Sequence, residues 1–144
     1  MPDVTSLLET DHREVEDLFA KAESNSGAAK AQIVSKIAKE LTIHAEVEEA
    51  IVYPAMKRAG LGHLVDEAVQ EHQKVKDLVA QIENADATSG NVDSTLAQLK
   101  SDVQHHVHEE ESEAFPKFRE ATDQRTLNEL GEQVEQAKQR AQSN

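Results

Sequence analysis

Two stretches of the sequence hold histidine and glutamate at the same spacing. They span residues 41–54 and 103–116, and each ends in an aromatic residue followed by proline. Aligning the two prolines superimposes the pairs His44 with Glu48 and His106 with Glu110. Residues four positions apart share one face of a helix, so each pair offers an imidazole and a carboxylate in the same direction.

A further histidine precedes each pair, and its surroundings also repeat. The pattern His-x-x-Val-x-Asp-Leu-x-Ala-x-x-Glu begins at His12 and again at His72. The chain therefore consists of two copies of one helical hairpin, and each copy contributes one histidine followed by one His-x-x-x-Glu pair. The residues that could meet inside a helical bundle are His12, His44, Glu48, His72, His106 and Glu110.

Composition limits both the fold and the partners. The 144 residues are 38% apolar, which suits one domain with a core, and the low aromatic content of 3% favours helices over a β-sandwich. A net charge of −13 disfavours nucleic acid and anionic membranes as partners. The sequence has no cysteine, which excludes disulfides, thiolate catalysis and cysteine-bound iron–sulfur clusters. Histidine and carboxylate remain as metal ligands.

The termini give no sign of targeting. The amino terminus is neither basic nor rich in apolar residues, and no stretch is long enough to span a membrane. We therefore expect a cytoplasmic monomer that forms a single domain over residues 1–144. Within that domain, we expect a bundle over about residues 3–118 and a C-terminal helix over about residues 123–142.

Apolar periodicity predicts four long helices. The first begins near a cap at Asp3 or Thr5 and ends near Glu23, and the next two cover about residues 28–58 and 63–84, with the fourth beginning near residue 92. In each helix, the candidate histidine or glutamate replaces an apolar residue of the pattern and therefore faces the core. Pro54 predicts a kink or an early end, because proline lacks an N–H and its ring clashes with the carbonyl four residues earlier.

Short polar connections predict the topology. The turn clusters at 24–27 and 60–62 and the polar loop at 86–91 force neighbouring helices to run antiparallel, which gives an all-α, up-down-up-down four-helix bundle. Counting residues from these connections places His44, His72 and His106 within a turn or two of one level, while the first connection fits less well. A last short helix, interrupted by Gly131, is predicted to lie against the outside of the bundle, with the apolar residues Leu127, Leu130, Val134 and Ala137.

Six buried polar side chains need partners, because each unpaired group costs about 1–3 kcal/mol. Imidazole and carboxylate suit iron, manganese or zinc, but a structural zinc site closes with four ligands. Six ligands from a twofold repeat favour two metal ions instead. The simplest allocation gives each ion two histidines, with Glu48 and Glu110 bridging both ions beside an oxo or hydroxo group. Each octahedral iron then keeps one open position.

This pattern resembles that of the hemerythrin-like family of HHE cation-binding domains, H…HxxxE…H…HxxxE, over residues 8–116. The resemblance implies a four-helix bundle around a non-haem di-iron centre, with the six residues of the repeat as ligands. Oxygen-carrying hemerythrins hold a further histidine four residues beyond the one that matches His72, and this chain has Lys76 there. That difference argues against simple reversible oxygen carriage.

Residues near the pattern leave alternatives open. His105 with Glu109, and His108 with Ser112, offer competing registers, but the apolar seam and the repeat favour His106 with Glu110. We predict a solvated face, with contact to a metal ligand as the alternative for one of its members, at His105, His108, Glu109 and Glu111. His63 is predicted to lie on the surface. Tyr53 is predicted to pack at the helix flank, with a hydrogen bond to bound oxygen or peroxide as the alternative.

The expected function follows from a redox-active centre with open positions. We expect a di-iron protein that binds and reacts with dioxygen, hydrogen peroxide or nitric oxide, and a peroxidase- or catalase-like activity is one form of this reaction. The alternatives are a sensing or iron-donating module without turnover and a metal-free helical interaction domain. Ferritin-like storage is disfavoured, because its helices carry Glu-x-x-His and only Glu9 with His12 shows that spacing.

Overall fold

The computed structural model describes residues 3–84 and 90–143, and these residues are almost entirely helical. The helices are α1 (Val4–Glu23), α2 (Gly27–Val47), α3 (Tyr53–Arg58), α4 (Gly62–Asn84), α5 (Gly90–Glu109), α6 (Phe115–Ala121) and α7 (Gln124–Ser143). Single π-helical turns, Glu48–Val52 and Glu110–Ala114, join α2 to α3 and α5 to α6. Each joined pair forms one long bundle helix, so the predicted four-helix bundle with an extra C-terminal helix is confirmed.

The connections between helices follow from local chemistry. Asp3 caps α1, because its side chain accepts the N–H of Ser6 at 3.0 Å. Gly60, between α3 and α4, has a φ of 90°, which glycine adopts without a steric penalty. The predicted polar loop at 86–91 lies, up to residue 89, outside the described residues. No helix in the described ranges is long and apolar enough to cross a membrane.

Neither Pro54 nor Pro116 ends its helix, so the early end, one of the two outcomes predicted at Pro54, does not occur. The N–H of Tyr53 donates to the carbonyl of Glu48, five residues earlier, and Phe115 bonds to Glu110 in the same way. A π turn is wider than an α turn, so it accommodates the proline ring and the missing N–H while the helix continues. Tyr53 and Phe115, the residues that directly follow the two π turns, are both buried.

The polar residues of the repeat divide the core into two apolar clusters. Along α1, Leu8 belongs to one cluster and Val15 to the other, with His12 between them. Along α2, Leu41 and Val47 flank His44 in the same way. Each cluster therefore covers one side of a single polar layer that crosses all four bundle helices.

The C-terminal helix α7 differs from its prediction. It is continuous through Gly131 and has 20 residues, as many as α1. A glycine inside a helix costs about 1 kcal/mol, whereas burying one leucine or valine contributes about 1.5–3 kcal/mol. Leu127, Leu130 and Val134 are all buried in the apolar cluster that contains Leu8. Their burial therefore outweighs the cost of the glycine. The helix packs across α1 and α2.

Candidate metal centre

The structure brings together all six polar residues that the repeat predicts. Glu48 is fully buried, Glu110 is 2% exposed, and the most exposed of the six side chains, that of His44, is 11% exposed. The ring centroids of His12 and His44 lie 5.1 Å apart, and those of His72 and His106 lie 4.7 Å apart. Side chains from α1, α2, α4 and α5 and from both π turns therefore meet at one level of the bundle.

Their inward atoms form two groups, each of which could hold a metal ion. One group consists of His12, His44 and Glu110, and the other of Glu48, His72 and His106, with ligand atoms within 4.8 Å of one another in each. Glu110 reaches both groups, because its Oε1 lies 3.2 Å from His12 Nε2 and its Oε2 lies 3.4 Å from His106 Nε2. Glu48 Oε1 likewise lies 2.9 Å from His44 Nε2 and 3.2 Å from His72 Nε2.

A carboxylate contacts the outer ring nitrogen, Nδ1, of each of the four histidines of the site. These contacts of Nδ1 are His12 with Glu111 at 2.7 Å, His44 with Asp11 at 3.2 Å, His72 with Glu49 at 3.0 Å and His106 with Glu71 at 2.6 Å. Each acid is adjacent in sequence to one residue of the site and supports a histidine on another helix. An Nδ1–H that donates outward leaves the Nε2 lone pair for a ligand on the inner side.

The interpretation of the sequence missed three of these acids, Asp11, Glu49 and Glu71, and assigned Glu111 to the solvated face with a ligand contact only as the alternative. The repeat contains a pattern that could have identified these acids. Asp11 precedes His12 as Glu71 precedes His72. An acidic residue also follows each glutamate of the site. An acid beside a residue of the site in both copies therefore marks a supporting carboxylate.

Four buried atoms of the centre lack a hydrogen-bond partner within the described residues: His12 Nε2, His44 Nε2, Glu48 Oε2 and Glu110 Oε1. His44 Nε2 and Glu48 Oε1 are only 2.9 Å apart, but they are not aligned as a hydrogen bond. Unpaired buried polar groups cost about 1–3 kcal/mol each. Cations would satisfy these atoms, and imidazole with carboxylate is a donor set that iron, manganese and zinc accept. The residues present therefore fit a pair of metal ions.

Protons take the place of these cations in the metal-free chain. Burial alone would lower the pKa of His44, but Glu48 and Asp11 outweigh it and raise that pKa to about 10. For His106, burial is likewise outweighed, here by Glu110 and Glu71, so its pKa lies well above the usual value. Burial would raise the pKa of Glu110, yet the nearby histidines hold it well below its usual range. Both shifts favour the protonated forms of His44 and His106 in the metal-free chain.

We expect metal binding to release protons at neutral pH, because a metal ion binds neutral imidazole and must displace the protons of His44 and His106. Metal affinity should rise with pH up to the His44 pKa of about 10. The stability of the metal-free chain should change in the opposite direction. The contribution of His44 is complete below its unfolded-state pKa of 6.5 and is lost as the pH rises through about 10. Calorimetric titrations in two buffers with different ionisation enthalpies would count the protons, and identical heats would contradict the expectation.

The aromatic residues of the two repeats make the site asymmetric. Tyr53 donates its hydroxyl hydrogen to Glu110 Oε2 at 2.8 Å, and the oxygen lies 3.1 Å from His72 Nε2. Its counterpart Phe115 stacks on His12 instead, with ring planes 3° apart and centroids at 6.1 Å. Burial and the carboxylate of Glu110 raise the pKa of Tyr53 well above its usual value, so the phenol keeps its proton. Tyr53 is therefore a buried polar neighbour of the site and does not lie at the helix flank.

A small apolar cavity adjoins the four histidines. Its volume is about 30 Å³, which is enough for one water or one diatomic molecule. Its lining includes neither of the two central glutamates. Four apolar side chains, each three residues from a histidine of the site, line the cavity: Val15, Leu41, Val75 and Val103.

The remaining candidate residues lie on the surface. His63 and His108 are exposed, and the side chain of His105 is 66% exposed beside Glu109 at 3.0 Å. The competing register built on His105 therefore points away from the core. Lys76 does not take the place of a fifth histidine either, because its Nζ lies 2.8 Å from Glu49 Oε2, on the outer side of His72.

A four-helix bundle with a buried layer of histidine and glutamate defines a class of cation-binding helical proteins. The chain belongs to the hemerythrin family, because the family model described as the hemerythrin HHE cation binding domain matches residues 3–118. This match confirms the resemblance inferred from the repeat. It ends before α7, which begins at Gln124.

Two proteins are similar in sequence to most of this chain. A DNA nickase of Nostoc sp. is 29% identical over 117 residues, which are 81% of this chain and 33% of the nickase. An uncharacterized hemerythrin-like protein of Schizosaccharomyces pombe is 26% identical over 121 residues, which are 81% of this chain and 59% of that protein. The chain thus spans about a third and about three fifths of the lengths of these two proteins.

A solved structure supports the same fold. The crystal structure of a hemerythrin HHE cation-binding domain-containing protein from Mycobacterium kansasii is 22% identical in sequence, with a TM-score of 0.88. The alignment covers 99% of this chain and 89% of the other. The likeness therefore extends over the whole fold, including α7.

Proposed function

We propose that the chain binds two iron ions through the six residues of the repeat and reacts with a small oxidant, which is dioxygen, hydrogen peroxide or nitric oxide. The observation that carries this proposal is the convergence of four imidazole nitrogens and two shared carboxylates on a buried centre where four atoms lack a partner. The proposed ligands are His12, His44, Glu48, His72, His106 and Glu110.

The two groups of donor atoms support a count of two ions. Each group supplies two histidines, and Glu48 and Glu110 lie close enough to both groups to bridge them. One ion in each group would let every imidazole of the site bind a metal, with both carboxylates shared. Two histidines and two shared glutamates would hold each ion, and octahedral ions held in this way would keep positions for an oxo or hydroxo bridge and for a small molecule.

We propose iron instead of zinc because the proposed reaction with an oxidant needs a metal that changes its oxidation state. Iron in a histidine and carboxylate site cycles between ferrous and ferric states and so exchanges electrons with an oxidant. The cavity of about 30 Å³ beside the histidines has the size and apolar lining that suit a neutral diatomic molecule or peroxide. Tyr53, which keeps its proton, provides a hydroxyl group at the same centre.

A binding or sensing module without turnover is the second candidate. It is supported by the match to a longer protein, because the chain corresponds to only 33% of the Nostoc DNA nickase. In such a protein the same centre could report on an oxidant or supply iron to other parts of the chain. We do not extend nucleic-acid binding to this chain, since its net charge of −13 opposes contact with phosphates.

Metal content tests the proposal most directly. We expect the chain purified from iron-replete cells to hold two irons per molecule and to show near-ultraviolet charge-transfer absorption from a bridged ferric pair. Metal analysis by mass spectrometry, normalised to protein from amino-acid analysis, gives the count. A single zinc ion per chain, without that absorption, would overturn the di-iron proposal.

A further inference from the structure

Lys138 links α7 to one half of the metal centre. Its Nζ donates to Oδ1 of Asp11, and the other oxygen of that carboxylate, Oδ2, lies 3.2 Å from Nδ1 of His44. The side chains of Lys138 and Asp11 are 22% and 10% exposed. Attraction between charges is screened less in such a partly buried position than at an open surface. One carboxylate therefore joins the ammonium group of α7 to an imidazole of α2.

The position of Lys138 is fixed by the packing of α7. Val134, one helical turn earlier on the same face, is fully buried, and Leu130 is 5% exposed. Both belong to the apolar cluster that also contains residues of α1 and α2. The ammonium group is thus held against Asp11 by a helix that is itself anchored in the core. This helix lies beyond residues 3–118, the part of the chain that the family model matches.

We propose that Lys138 is a positioning residue for His44, which makes α7 part of the metal centre. The inference rests on the proposed binding of two metal ions. An outer partner of a metal-binding histidine fixes the orientation of the ring, and losing such a partner costs about 10–100-fold in metal affinity. Asp11 can hold His44 in one orientation because both of its oxygens are engaged. Without Lys138, Oδ1 loses this partner and the carboxylate can turn toward solvent.

The effect should be confined to one ion. His44 belongs to the group with His12 and Glu110, so Lys138 supports that group. The other group has its own lysine, since Lys76 Nζ lies 2.8 Å from Glu49 Oε2 and that oxygen lies 3.0 Å from Nδ1 of His72. The two lysines therefore serve as matched probes of the two halves.

A cobalt titration of the full-length chain tests this inference. We would compare the wild type with Lys138→Met, which keeps the length of the side chain without its charge, and with Lys138→Arg, which restores a cation. Lys30→Met is the control, because Lys30 is similarly exposed at 24% and pairs with Asp93, neither of which belongs to the site. Calorimetry and the visible absorption of bound Co²⁺ follow the binding of each ion.

We expect Lys138→Met to weaken one of the two cobalt sites about tenfold and to leave the other unchanged. Lys138→Arg should recover most of this loss, and Lys30→Met should bind as the wild type does. Equal affinities in Lys138→Met and the wild type would overturn the inference. So would equal weakening of both sites, or an Arg variant as weak as the Met variant, because the loss would then not come from a cation that orients one histidine.

The orientation of His44 can also be measured without metal. In long-range ¹H–¹⁵N spectra of the metal-free full-length chain, Lys138→Met should shift the ring signals of His44 and leave those of His72 in place, and Lys76→Met should do the reverse. Unchanged His44 signals would contradict the role of Lys138. A wild type that binds fewer than two cobalt ions would instead contradict the proposed function, while these spectra would still test the link from α7 to His44.

Discussion

Replacing His106 by alanine is expected to remove one of the two metal ions, whereas replacing its neighbour His105 leaves both bound. His106 is 6% exposed, its Nε2 lies 3.4 Å from Glu110 Oε2, and its Nδ1 is held by Glu71 at 2.6 Å. His105, at the preceding position of the same helix, is largely exposed. Loss of a direct ligand should exceed the 10–100-fold loss that follows removal of an outer partner.

The glutamates provide the same comparison with a larger effect. Glu110→Ala should impair both ions, because its two oxygens approach both groups, whereas Glu109→Ala should keep both. An ion present at a hundred times its dissociation constant stabilises the fold by about 2.7 kcal/mol. Its loss should lower the melting temperature of the iron-loaded chain by roughly 5–10 °C.

Iron content and thermal unfolding of the four purified variants show which of these residues the metal ions need. His105→Ala and Glu109→Ala are the matched controls, since they remove the same side chains one position earlier in the helix. If these two variants lost iron while His106→Ala and Glu110→Ala retained it, the register inferred from the repeat would be wrong.

The fold and the six central residues could be predicted because the sequence contains two copies of the same helical hairpin. A polar residue that replaces an apolar one in a helical seam must face the core, and His44 and His106 do so at equivalent positions of two repeats. The repeat also separates His106 from His105, which a single His-x-x-x-Glu pattern would not. Periodicity and internal symmetry together therefore determine the polar layer.

The π turns could not be predicted from that periodicity, because two effects compete at Pro54 and Pro116. The missing N–H and the ring of proline oppose an α-helix, while burial of the residues on either side favours continuing the rod. A π turn accommodates the proline and lets the helix continue, but the apolar pattern of the sequence does not indicate where such a turn forms. Tyr53 directly follows the first of these turns and donates a hydrogen bond to Glu110, where packing at the helix flank was predicted.

Counting residues also failed to place α1. Such counting assumes that neighbouring helices start at the same level. From the connection between α1 and α2, His44 lies farther along its helix than His12 does along its own, yet the two rings meet. The link from Lys138 was equally hidden. It depends on how α7 packs across α1, and the apolar pattern of α7 identifies its buried face without identifying the helix that this face covers.

Hydrogen peroxide is expected to be decomposed by the diferric chain, with oxygen evolved from it. The expectation rests on position 76. A fifth histidine there would occupy the last coordination position of one ion, and only the other ion could then bind a small molecule. Lys76 instead contacts Glu49 on the outer side of His72, so it would not act as a further ligand to either proposed ion. The cavity adjoins all four histidines, so a small molecule inside it would lie beside both halves of the centre.

The overall reaction converts two molecules of peroxide into one of oxygen and two of water. The iron pair supplies the capacity to take up and return two electrons. The chain must then orient the bound peroxide, and Tyr53 supplies a buried hydroxyl group beside the centre, where it donates to Glu110 Oε2 at 2.8 Å. Tyr53→Phe, which installs the aromatic type found at position 115, should keep both irons and lower the rate on the order of a hundredfold.

An oxygen electrode measures the reaction of the diferric chain with peroxide, and His44→Ala is the control for iron outside the intact centre. Stopped-flow mixing of the diferrous chain with oxygen or nitric oxide gives the second measurement. We expect rapid oxidation by oxygen, or trapping of nitric oxide, and no lasting reversible oxygen adduct. A stable oxygen-dependent absorption band that disappears on degassing, with no oxygen evolved above the His44→Ala control, would contradict turnover. Because the same centre would then bind its ligand without consuming it, that result would assign the chain to the binding and sensing class.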